Sequence, residues 1–529
     1  MNSLSASSDA VASSGNNVYV IWGEGQLKLR RSVDNGISFS PAITLSDEKV
    51  APPALFAIGS NVYVAWTGSD FSRGVTFRAS NDYGATFGPP ITLVKDQVFI
   101  QGPRIAAVGS NVYVVWTYST GVFFARSIDN GATFDAAITI NDDGISADDP
   151  HIAAAGNNVY VSWENNGSTG PIENDDIFFA RSTDNGANFG PKTEINTIDG
   201  TGGHDLAAVG DNVYLIWMTV IMNEDNTGGY DLFFTRSIDG GANFEPERNL
   251  SNTIWSSMSA PKIAASGSGV YIMWDESGMT SDLYFFGSTD NGLSFSSLNL
   301  TQEVSSQMIN GDMNIVASGN DVYAVWLHTD LGTSDNDIYF RHSPDRGQNF
   351  DSIINVSNSS PPQHPAAPFL STSAGNVYVM WSELTGLGNT DVFFSTSASA
   401  DSTLYCGRTI GQYDSVIYGT NGRDTLTGTA GNDLMFGYAG NDRINGLAGD
   451  DCIYAGSGND RVNGGPGNDV IYGEDGNDIL RGYAGNDQLY GGSGNDRIDG
   501  HGGNDNIDGG EGTNTCNGGR GTNTIVNCT

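Results

Sequence analysis

Strand-like segments recur about every fifty residues between residues 1 and 400. The clearest is a run of branched and aromatic residues that ends in Trp, a composition typical of a buried, pleated strand. A strand of small residues, such as PRIAAVG at 103–109, precedes each copy. No helical period occurs in this region, so the pattern predicts an all-β structure. The eight copies are VYVIW (18–22), VYVAW (62–66), VYVVW (112–116), VYVSW (159–163), VYLIW (213–217), VYIMW (270–274), VYAVW (322–326) and VYVMW (377–381).

A polar turn with the pattern S-x-D-x-G-x-x-F follows the next strand in seven of the eight units. Ser and Asp side chains bond to nearby backbone groups and Gly adopts a positive φ, so we interpret the turn as structural. A short strand such as ITLS at 43–46 comes next. Each unit therefore contains four strands. The turns begin at Ser32, Ser80, Ser127, Ser182, Ser237, Ser288 and Ser343, and their aspartates are Asp34, Asp82, Asp129, Asp184, Asp239, Asp290 and Asp345.

Eight such units in tandem predict a β-propeller of eight blades, with seven as the alternative. The turn resembles the Asp-box, or BNR repeat, of sialidase-like propellers. The eighth unit lacks this turn and decays after DVFFSTS at 391–397, whereas NSLS at 2–5 resembles a missing fourth strand. We therefore expect the first residues to close the ring by pairing with the last blade.

A second repeat of nine residues occupies 419–526 and contains twelve units. An apolar residue stands two positions after each repeated acidic position, as at Leu426 and Ile471. The repeat resembles the G-G-x-G-x-D-x-U-x nonapeptide of RTX, or haemolysin-type, calcium-binding β-rolls. The fold prediction is thus a propeller over 1–397, a linker and cap over 398–418, and a parallel β-roll over 419–529. Aspartates recur at Asp424, Asp433, Asp442, Asp451, Asp460, Asp469, Asp478, Asp487, Asp496 and Asp505, with Asn514 and Asn523 in the last two units.

The roll is expected to need several calcium ions as its cofactor. Each unit buries about one aliphatic side chain, which offsets little of the entropy lost by ordering nine residues. Residues 419–529 also carry 6 − 16 = −10 charges, stacked along the roll. The resemblance implies that each Ca²⁺ sits between turns two units apart, bound by backbone carbonyls and by the carboxylates of Asp424 through Asp505. Because Asn514 and Asn523 are neutral, the C-terminal sites should be weaker or absent.

The charge of the whole chain, 23 − 61 = −38 over 529 residues, disfavours nucleic acid and anionic membranes and favours cations as partners. No apolar run approaches the length of a membrane span. The N-terminal residues MNSLSASSDAVASSG lack the basic and apolar regions of a signal peptide. We expect either that a leader has been removed or that export uses another route.

The four cysteines lie in or beside the roll, and three connectivities would pair them all. Pairing Cys406 with Cys452 and Cys516 with Cys528 would fasten both ends of the roll. The alternative for Cys516 is a buried free thiol in an apolar slot. Disulfides persist, and free calcium is abundant, outside cells. Both features point to an extracellular or cell-surface location.

Arginines give little support to a sialidase. The family implies three arginines that hold a substrate carboxylate, a Tyr–Glu nucleophile pair and an acidic Asp. Most arginines here recur beside the turn in successive units, which marks them as scaffold: Arg31, Arg78, Arg126, Arg181, Arg236 and Arg341. We therefore assign no catalytic residue; if the chain is an enzyme, a glycoside hydrolase is the class.

The positions at which the units differ are better candidates for a binding site. In the first strand of successive units, one aligned position is occupied by Ala10, Ala54, Arg104, His151, Asp205, Lys262, Asn314 and Phe369. In a propeller these would ring one mouth of the channel, and the consecutive polar residues Arg104 through Asn314 could bind a ligand. The alternative is that these polar residues only line a solvated channel mouth and bind no ligand. His151 and His204 could also bind a metal, although no third histidine accompanies them at fixed spacing.

These features favour a secreted or cell-surface calcium-binding structural or interaction protein. The propeller would be a binding or assembly module for a glycan, a protein or further copies of the chain, and the roll a scaffold. The alternative is a secreted sialidase-like glycoside hydrolase with an accessory roll. A toxin-like protein is a third hypothesis, but no pore-forming segment supports it. The ligand, the oligomeric state, the export route and the organism are not determined by the sequence.

Overall fold

The computed structural model shows two compact units, Met1–Arg31 with Ala42–Ser397, and Ser32–Pro41 with Ala398–Thr529. All regular structure in the described part of the chain is β. No segment that could cross a membrane as a helix was found among these residues. The structure describes residues 9–23, 25–68, 74–95, 100–119, 121–141, 144, 146–167, 174–198, 201–222, 228–251, 260–277, 281–302, 307–330, 336–357, 364–385, 389–397, 406, 408, 413, 415–420 and 422–528.

The first unit consists of eight antiparallel sheets whose strands pair in chain order. The first four blades are β1 (Ala10–Ser14), β2 (Asn17–Gly23), β3 (Leu27–Ser32) and β4 (Ile43–Ser46); β5 (Ala54–Ile58), β6 (Asn61–Thr67), β7 (Val75–Ser80) and β8 (Ile91–Val94); β9 (Ile100–Val108), β10 (Asn111–Tyr118), β11 (Gly121–Ser127) and β12 (Ile138–Thr139); β13 (Ser146–Ala155), β14 (Asn158–Gly167), β15 (Asn174–Ser182) and β16 (Thr193–Glu194).

The other four blades continue the series, and the last contains three strands in the described residues. They are β17 (Thr201–Val209), β18 (Asn212–Met222), β19 (Gly228–Ser237) and β20 (Arg248–Asn249); β21 (Lys262–Ser266), β22 (Gly269–Ser277), β23 (Ser281–Ser288) and β24 (Ser296–Asn299); β25 (Gln307–Ser318), β26 (Asp321–Asp330), β27 (Asn336–Ser343) and β28 (Ile354–Asn355); β29 (His364–Ser373), β30 (Asn376–Thr385) and β31 (Asn389–Thr396).

The first strand of each blade contacts the first strand of the next, and β29 returns to contact β1. The hydroxyl oxygens of Ser13 and Ser371, on these two strands, lie 2.6 Å apart. The ring therefore closes with eight blades, and this part of the prediction is confirmed. The expected closing strand at 2–5 lies outside the described residues.

Aromatic residues of the second strands fill the space between blades. Tyr113 and Trp116, for example, are fully buried because the strand is covered on both faces. In five of the seven polar turns the Phe packs against a Phe of the preceding blade. Phe134 meets Phe77 edge-on at 4.7 Å between ring centroids, and the same contact recurs four more times.

Each polar turn is closed by its own side chains. In the third blade the Ser127 hydroxyl donates to the Asp129 carboxylate at 2.6 Å, and the backbone N–H of Gly131 donates to Ser127 Oγ. The equivalent Ser–Asp distances in all seven turns are 2.5–2.9 Å. An arginine beside the turn crosses to a neighbouring blade: Arg126 donates to the carbonyl of Asn185 in the next blade, and Arg78 to that of Leu45 in the preceding one. The geometry gives these arginines a structural role.

The second unit contains a parallel β-solenoid of about six turns, as predicted. Each strand pairs with the strand 18 residues later, for example Ile453 beside Ile471, so two nonapeptides form one turn. One sheet contains β32 (Ser415–Tyr418), β34 (Asp433–Phe436), β36 (Cys452–Tyr454), β38 (Val470–Tyr472), β40 (Gln488–Tyr490), β42 (Asn506–Asp508) and β44 (Thr524–Val526). The other contains β33 (Thr425–Thr427), β35 (Arg443–Asn445), β37 (Arg461–Pro466), β39 (Ile479–Ala484), β41 (Arg497–Gly502) and β43 (Thr515–Asn517).

The solenoid core is one cluster of apolar side chains from both sheets. It includes Ile444, Ile471 and Ile498, which are at most 1 % exposed. Disulfides join Cys406 to Cys452 and Cys516 to Cys528. This is one of the three connectivities that the sequence left open, and Cys516 is not a free thiol. The first bond ties the linker to a buried strand position, and the second ties the chain end to the last turns.

Candidate functional site

The repeated aspartates of the solenoid form two buried columns, one on each edge. Nine of the ten, from Asp433 to Asp505, are at most 2 % exposed. Each backbone N–H donates to Oδ1 of the aspartate one turn later: Asp451 N to Asp469 Oδ1 at 3.0 Å, and Asp469 N to Asp487 Oδ1 at 2.9 Å. One oxygen of each carboxylate therefore holds the preceding turn in register.

The second oxygen, Oδ2, has no hydrogen-bond partner among the described residues in eight of these aspartates. In seven of the eight a glycine five residues earlier leaves room for it, since a Cβ at Gly464, for example, would overlap Asp469 Oδ2. Asp460 has Ala455 at this position. Burial of this charge is unfavourable, and an unpaired buried carboxylate is rare. The eight are Asp442, Asp451, Asp460, Asp469, Asp478, Asp487, Asp496 and Asp505.

The electrostatics of the columns reflect that arrangement. Burial, together with the neighbouring carboxylates of Asp451 and Asp487, raises the pKa of Asp469 to about 8. Burial raises the pKa of Asp451 and of Asp478 to about 7. Hydrogen bonds from backbone N–H groups oppose these shifts without cancelling them. The columns are thus costly to keep ionised without a cation.

A hard cation fits this donor set. The available groups are carboxylate oxygens in a glycine-lined turn, without nitrogen or sulfur, and Ca²⁺ takes oxygen ligands of this kind. The unpartnered Oδ2 atoms of Asp442 through Asp505 are the groups that would hold it. Bound calcium would supply the positive charge that the columns lack.

The two ends of the columns differ from the middle. Oδ2 of Asp424 and of Asp433 already accepts a hydrogen bond at 2.6 Å from the backbone N–H of Thr420 and Thr429, respectively. The ten predicted ligands therefore divide into eight with a free oxygen and two capped by threonine. The signal was present in the sequence, because only the first two units read G-T at these positions. At the other end, Asn514 replaces the carboxylate and still accepts from Asp496 N at 2.8 Å.

The aligned propeller positions occupy one register around the ring. His151 pairs with Ser162, Asp205 with Ile216 and Lys262 with Met273, each partner preceding the Trp of its strand. Arg104 and Asn314 occupy the same register on β9 and β25. The residues predicted to bind a ligand therefore do lie on the innermost strands of five successive blades.

Three of these five residues belong to one chain of polar contacts, and a fourth, Lys262, acts on it through its charge. Oδ1 of Asp205 lies 3.0 Å from His151 Nδ1, and Lys262 acts on the same carboxylate through its charge. Asp149, which the sequence analysis did not select, links His151 Nε2 at 3.3 Å and Arg104 Nη2 at 3.4 Å. Asn314 lies one blade beyond Lys262.

A second histidine lies behind the first. The rings of His151 and His204 meet edge to face with centroids 4.7 Å apart. His204 Nδ1 lies 3.2 Å from Glu164 Oε1, and its Nε2 lies 3.0 Å from Ser162 Oγ. This resembles the order of a catalytic triad, but Ser162 is fully buried and out of reach of a substrate. Glu164 and Ser162 could have been noticed because the other seven units have other residues at these two positions.

Charge couples the members of this cluster. Burial alone would raise the pKa of Asp205, but the hydrogen bond and charge of His151 outweigh it and lower that pKa to about 2. The pKa of His151 is raised, because hydrogen bonds to Asp149 and Asp205 outweigh the opposing effect of burial. The mouth therefore favours a positive charge between two carboxylates.

Comparison with solved structures gives distant matches for the propeller. A polysaccharide lyase, Uly1, matches with 12 % identity over 67 % of this chain and 91 % of its own, at a TM-score of 0.46. A Trypanosoma rangeli sialidase complex matches with 13 % identity over 57 % and 54 %, at a TM-score of 0.36. A protein of unknown function from Dyadobacter fermentans matches with 12 % identity over 66 % and 94 %, at 0.37.

A search of curated proteins found no match. The C-terminal unit does match a family model, that of the RTX calcium-binding nonapeptide repeat, over residues 418–453, 454–489 and 490–525. The resemblance drawn from the nonapeptides is therefore confirmed, and the solenoid with its two carboxylate columns consists of repeats of the RTX calcium-binding type.

Proposed function

We propose that this chain is a secreted or cell-surface structural or interaction protein whose solenoid folds and stiffens on binding several calcium ions. One observation carries the proposal: eight buried aspartates present an oxygen without a hydrogen-bond partner in the described structure. Such columns are stable only with a counter-ion, and millimolar calcium is available outside cells. The two disulfides and the calcium-binding type of repeat support the same location.

The propeller is proposed to be the binding or assembly module, and its seven turns to be Asp-boxes. In support, each turn carries the same Ser–Asp–Gly hydrogen bonding and each wedges or ties neighbouring blades together. The turn aspartates are thereby occupied in the scaffold. The variable residues Arg104, His151, Asp205, Lys262 and Asn314 at one mouth are the proposed contacts for a glycan or protein ligand.

The calcium part is tested by hydrogen–deuterium exchange of the full chain, with calcium and then with chelator. Peptides from 442–508 should be protected only with calcium, while propeller peptides should be protected in both conditions. Equal protection of the solenoid peptides after chelation would overturn the proposal. Magnesium at the same concentration is the control, since it demands smaller, octahedral sites.

The interaction part is tested by binding to arrayed glycans and by sedimentation of the calcium-loaded chain. Binding or self-association that is lost in the Arg104→Ala and Lys262→Ala variants supports the proposal. The alternative, a sialidase-like glycoside hydrolase, predicts turnover of aryl glycosides by the same preparation. Turnover that depends on Asp205 would replace the binding role with that activity.

A further inference from the structure

We propose that the propeller mouth holds a second kind of metal site, a zinc-type site formed by His151, His204 and Asp149. One ligand atom from each of the three lies within 4.8 Å of the other two. Two imidazoles and a carboxylate are typical ligands for Zn²⁺, in contrast to the all-oxygen donors of the solenoid. The site is independent of the proposed calcium-dependent function.

The spacing of the ligand atoms suits a tetrahedral ion. Metal–ligand bonds of about 2.0–2.1 Å place two tetrahedral ligands roughly 3.3–3.5 Å apart. His151 Nε2 and Asp149 Oδ2 are separated by 3.3 Å. The second imidazole packs against the first with ring centroids 4.7 Å apart, and one ligand nitrogen of His204 lies within 4.8 Å of the other two ligand atoms, so the side chains would close in on the ion as it binds.

Both imidazoles are oriented by carboxylates behind them. Nδ1 of His151 is held by Asp205 at 3.0 Å, and Nδ1 of His204 is held by Glu164 at 3.2 Å. Metal-binding histidines usually bond through one nitrogen and give the other to a carboxylate in this way. Nε2 of His151 then faces Asp149, and Nε2 of His204 would exchange its hydrogen bond to Ser162 Oγ for the ion.

The backbone at this position is also shaped locally. The pairing of β13 with β14 is interrupted by a bulge between Asp148 and His151, and β17 has a bulge between Gly202 and His204. Asp149 lies within the first bulge and has a φ of 40°, an unfavourable conformation for a residue other than Gly. The strain is stored where the carboxylate is turned toward His151.

The exposure of the three side chains indicates how an ion would reach the site. The His204 side chain is fully buried, that of His151 is 12 % exposed and that of Asp149 is 40 % exposed. An ion would therefore enter past Asp149, and its fourth position would face the mouth beside Arg104, which is half-exposed. Three protein ligands with one open position are the arrangement of zinc sites that bind a further anionic or polar ligand.

The test uses the full chain saturated with calcium, so that the solenoid sites are filled. The protein is dialysed against Zn²⁺ and then against zinc-free buffer containing calcium, and zinc is measured by elemental analysis. We expect one zinc ion per chain, and Co²⁺ in its place should give the visible absorption of tetrahedral cobalt. Asp149→Asn and His151→Gln should weaken zinc binding at least about 100-fold, and Asp205→Asn by about 10–100-fold.

The matched control is His342→Gln. His342 also lies between two carboxylates, with Asp321 at 2.8 Å and Asp351 at 3.2 Å, but outside the cluster. This variant should bind zinc like the unmodified chain. Tryptophan fluorescence verifies that each variant retains a folded propeller. The proposal is overturned if the unmodified chain retains no zinc, or if Asp149→Asn and His342→Gln retain equal amounts; His151 would then be a protonated partner of its two carboxylates.

Discussion

Replacing Asp469 by Asn should have opposite effects with and without calcium. Oδ1 of Asp469 accepts the N–H of Asp451 at 3.0 Å, while its Oδ2 is unpartnered in the described structure. An amide keeps the first bond, as Asn514 does at the equivalent position near the end of the same solenoid. The substitution therefore removes a buried charge and leaves the backbone ladder intact.

The size of the effect follows from the pKa of Asp469. A carboxylate with a pKa of about 8 when folded and about 3.9 when unfolded destabilises the metal-free fold increasingly as pH rises from about 4 to 8. At pH 7, which is roughly three units above the unfolded pKa and still below the folded one, this destabilisation amounts to about 4 kcal/mol. Because solvent and neighbouring carboxylates share the effect, we expect Asp469→Asn to stabilise the calcium-free solenoid by roughly 2–4 kcal/mol.

With saturating calcium the same change would remove a charged ligand of the proposed site. We expect calcium affinity at the altered site to fall at least about tenfold, equivalent to about 1.4 kcal/mol of lost stabilisation. Hydrogen exchange of solenoid peptides measures both effects: with calcium as the urea concentration at which protection is lost, and after chelation without urea as the protection that the variant gains. All nine Trp residues lie between 22 and 381, so their fluorescence reports the propeller separately.

The control is Asp475→Asn, which makes the same charge change at an exposed site where Asp475 accepts from Ser493 at 2.7 Å. It should leave the solenoid nearly unchanged in both conditions. If Asp469→Asn destabilises the chelated protein, or if the control gives the same gain, the argument from buried charge is wrong.

Three further predictions concern the scaffold. Gly464→Ala should abolish part of the calcium-dependent protection by crowding Asp469, whereas Gly422→Ala should not, because its Cβ would meet only ordinary contacts. Arg236→Ala should lower propeller stability in urea by about 1–3 kcal/mol, since Arg236 bonds both Glu245 and the next blade, while the exposed Arg30→Ala should have little effect. Hydrogen bonds from Ser127 and Thr133 lower the pKa of Asp129 to about 2, so propeller stability should fall as pH drops from about 4 to 2, measured by tryptophan fluorescence.

Each of these has a clear contrary result. Equal calcium-dependent protection in the Gly464→Ala and Gly422→Ala variants would mean that the space beside Asp469 Oδ2 does not shape the calcium site. Equal stability of the Arg236 and Arg30 variants would show that the crossing bonds are not needed. A propeller whose unfolding free energy is flat between pH 4 and 2, or whose acid loss persists in Asp129→Asn with undiminished slope, would contradict the role of the turn carboxylates.

The repeat periods of the sequence by themselves determine most of the fold. Eight Trp-ending strands and seven polar turns specify blades because strand period and turn chemistry are local properties of the chain. The nine-residue phase likewise specifies a solenoid, because an apolar residue such as Ile471 must recur on the inner face of each half-turn. The structure pairs residues 18 apart, as the family resemblance implied, and this register stacks the aspartates into columns.

Only the tertiary structure decided how individual atoms are used. The nonapeptide pattern made ten aspartates equivalent, whereas the structure caps Asp424 and Asp433 with threonine and leaves eight with a free oxygen. Two blades supply the residues of the proposed zinc site. One provides His151 and, in its bulge, Asp149, and the next provides His204. A bulge and an inter-blade contact depend on how separate strands pack. No local period in the chain therefore encodes the distances between the side chains of these three residues.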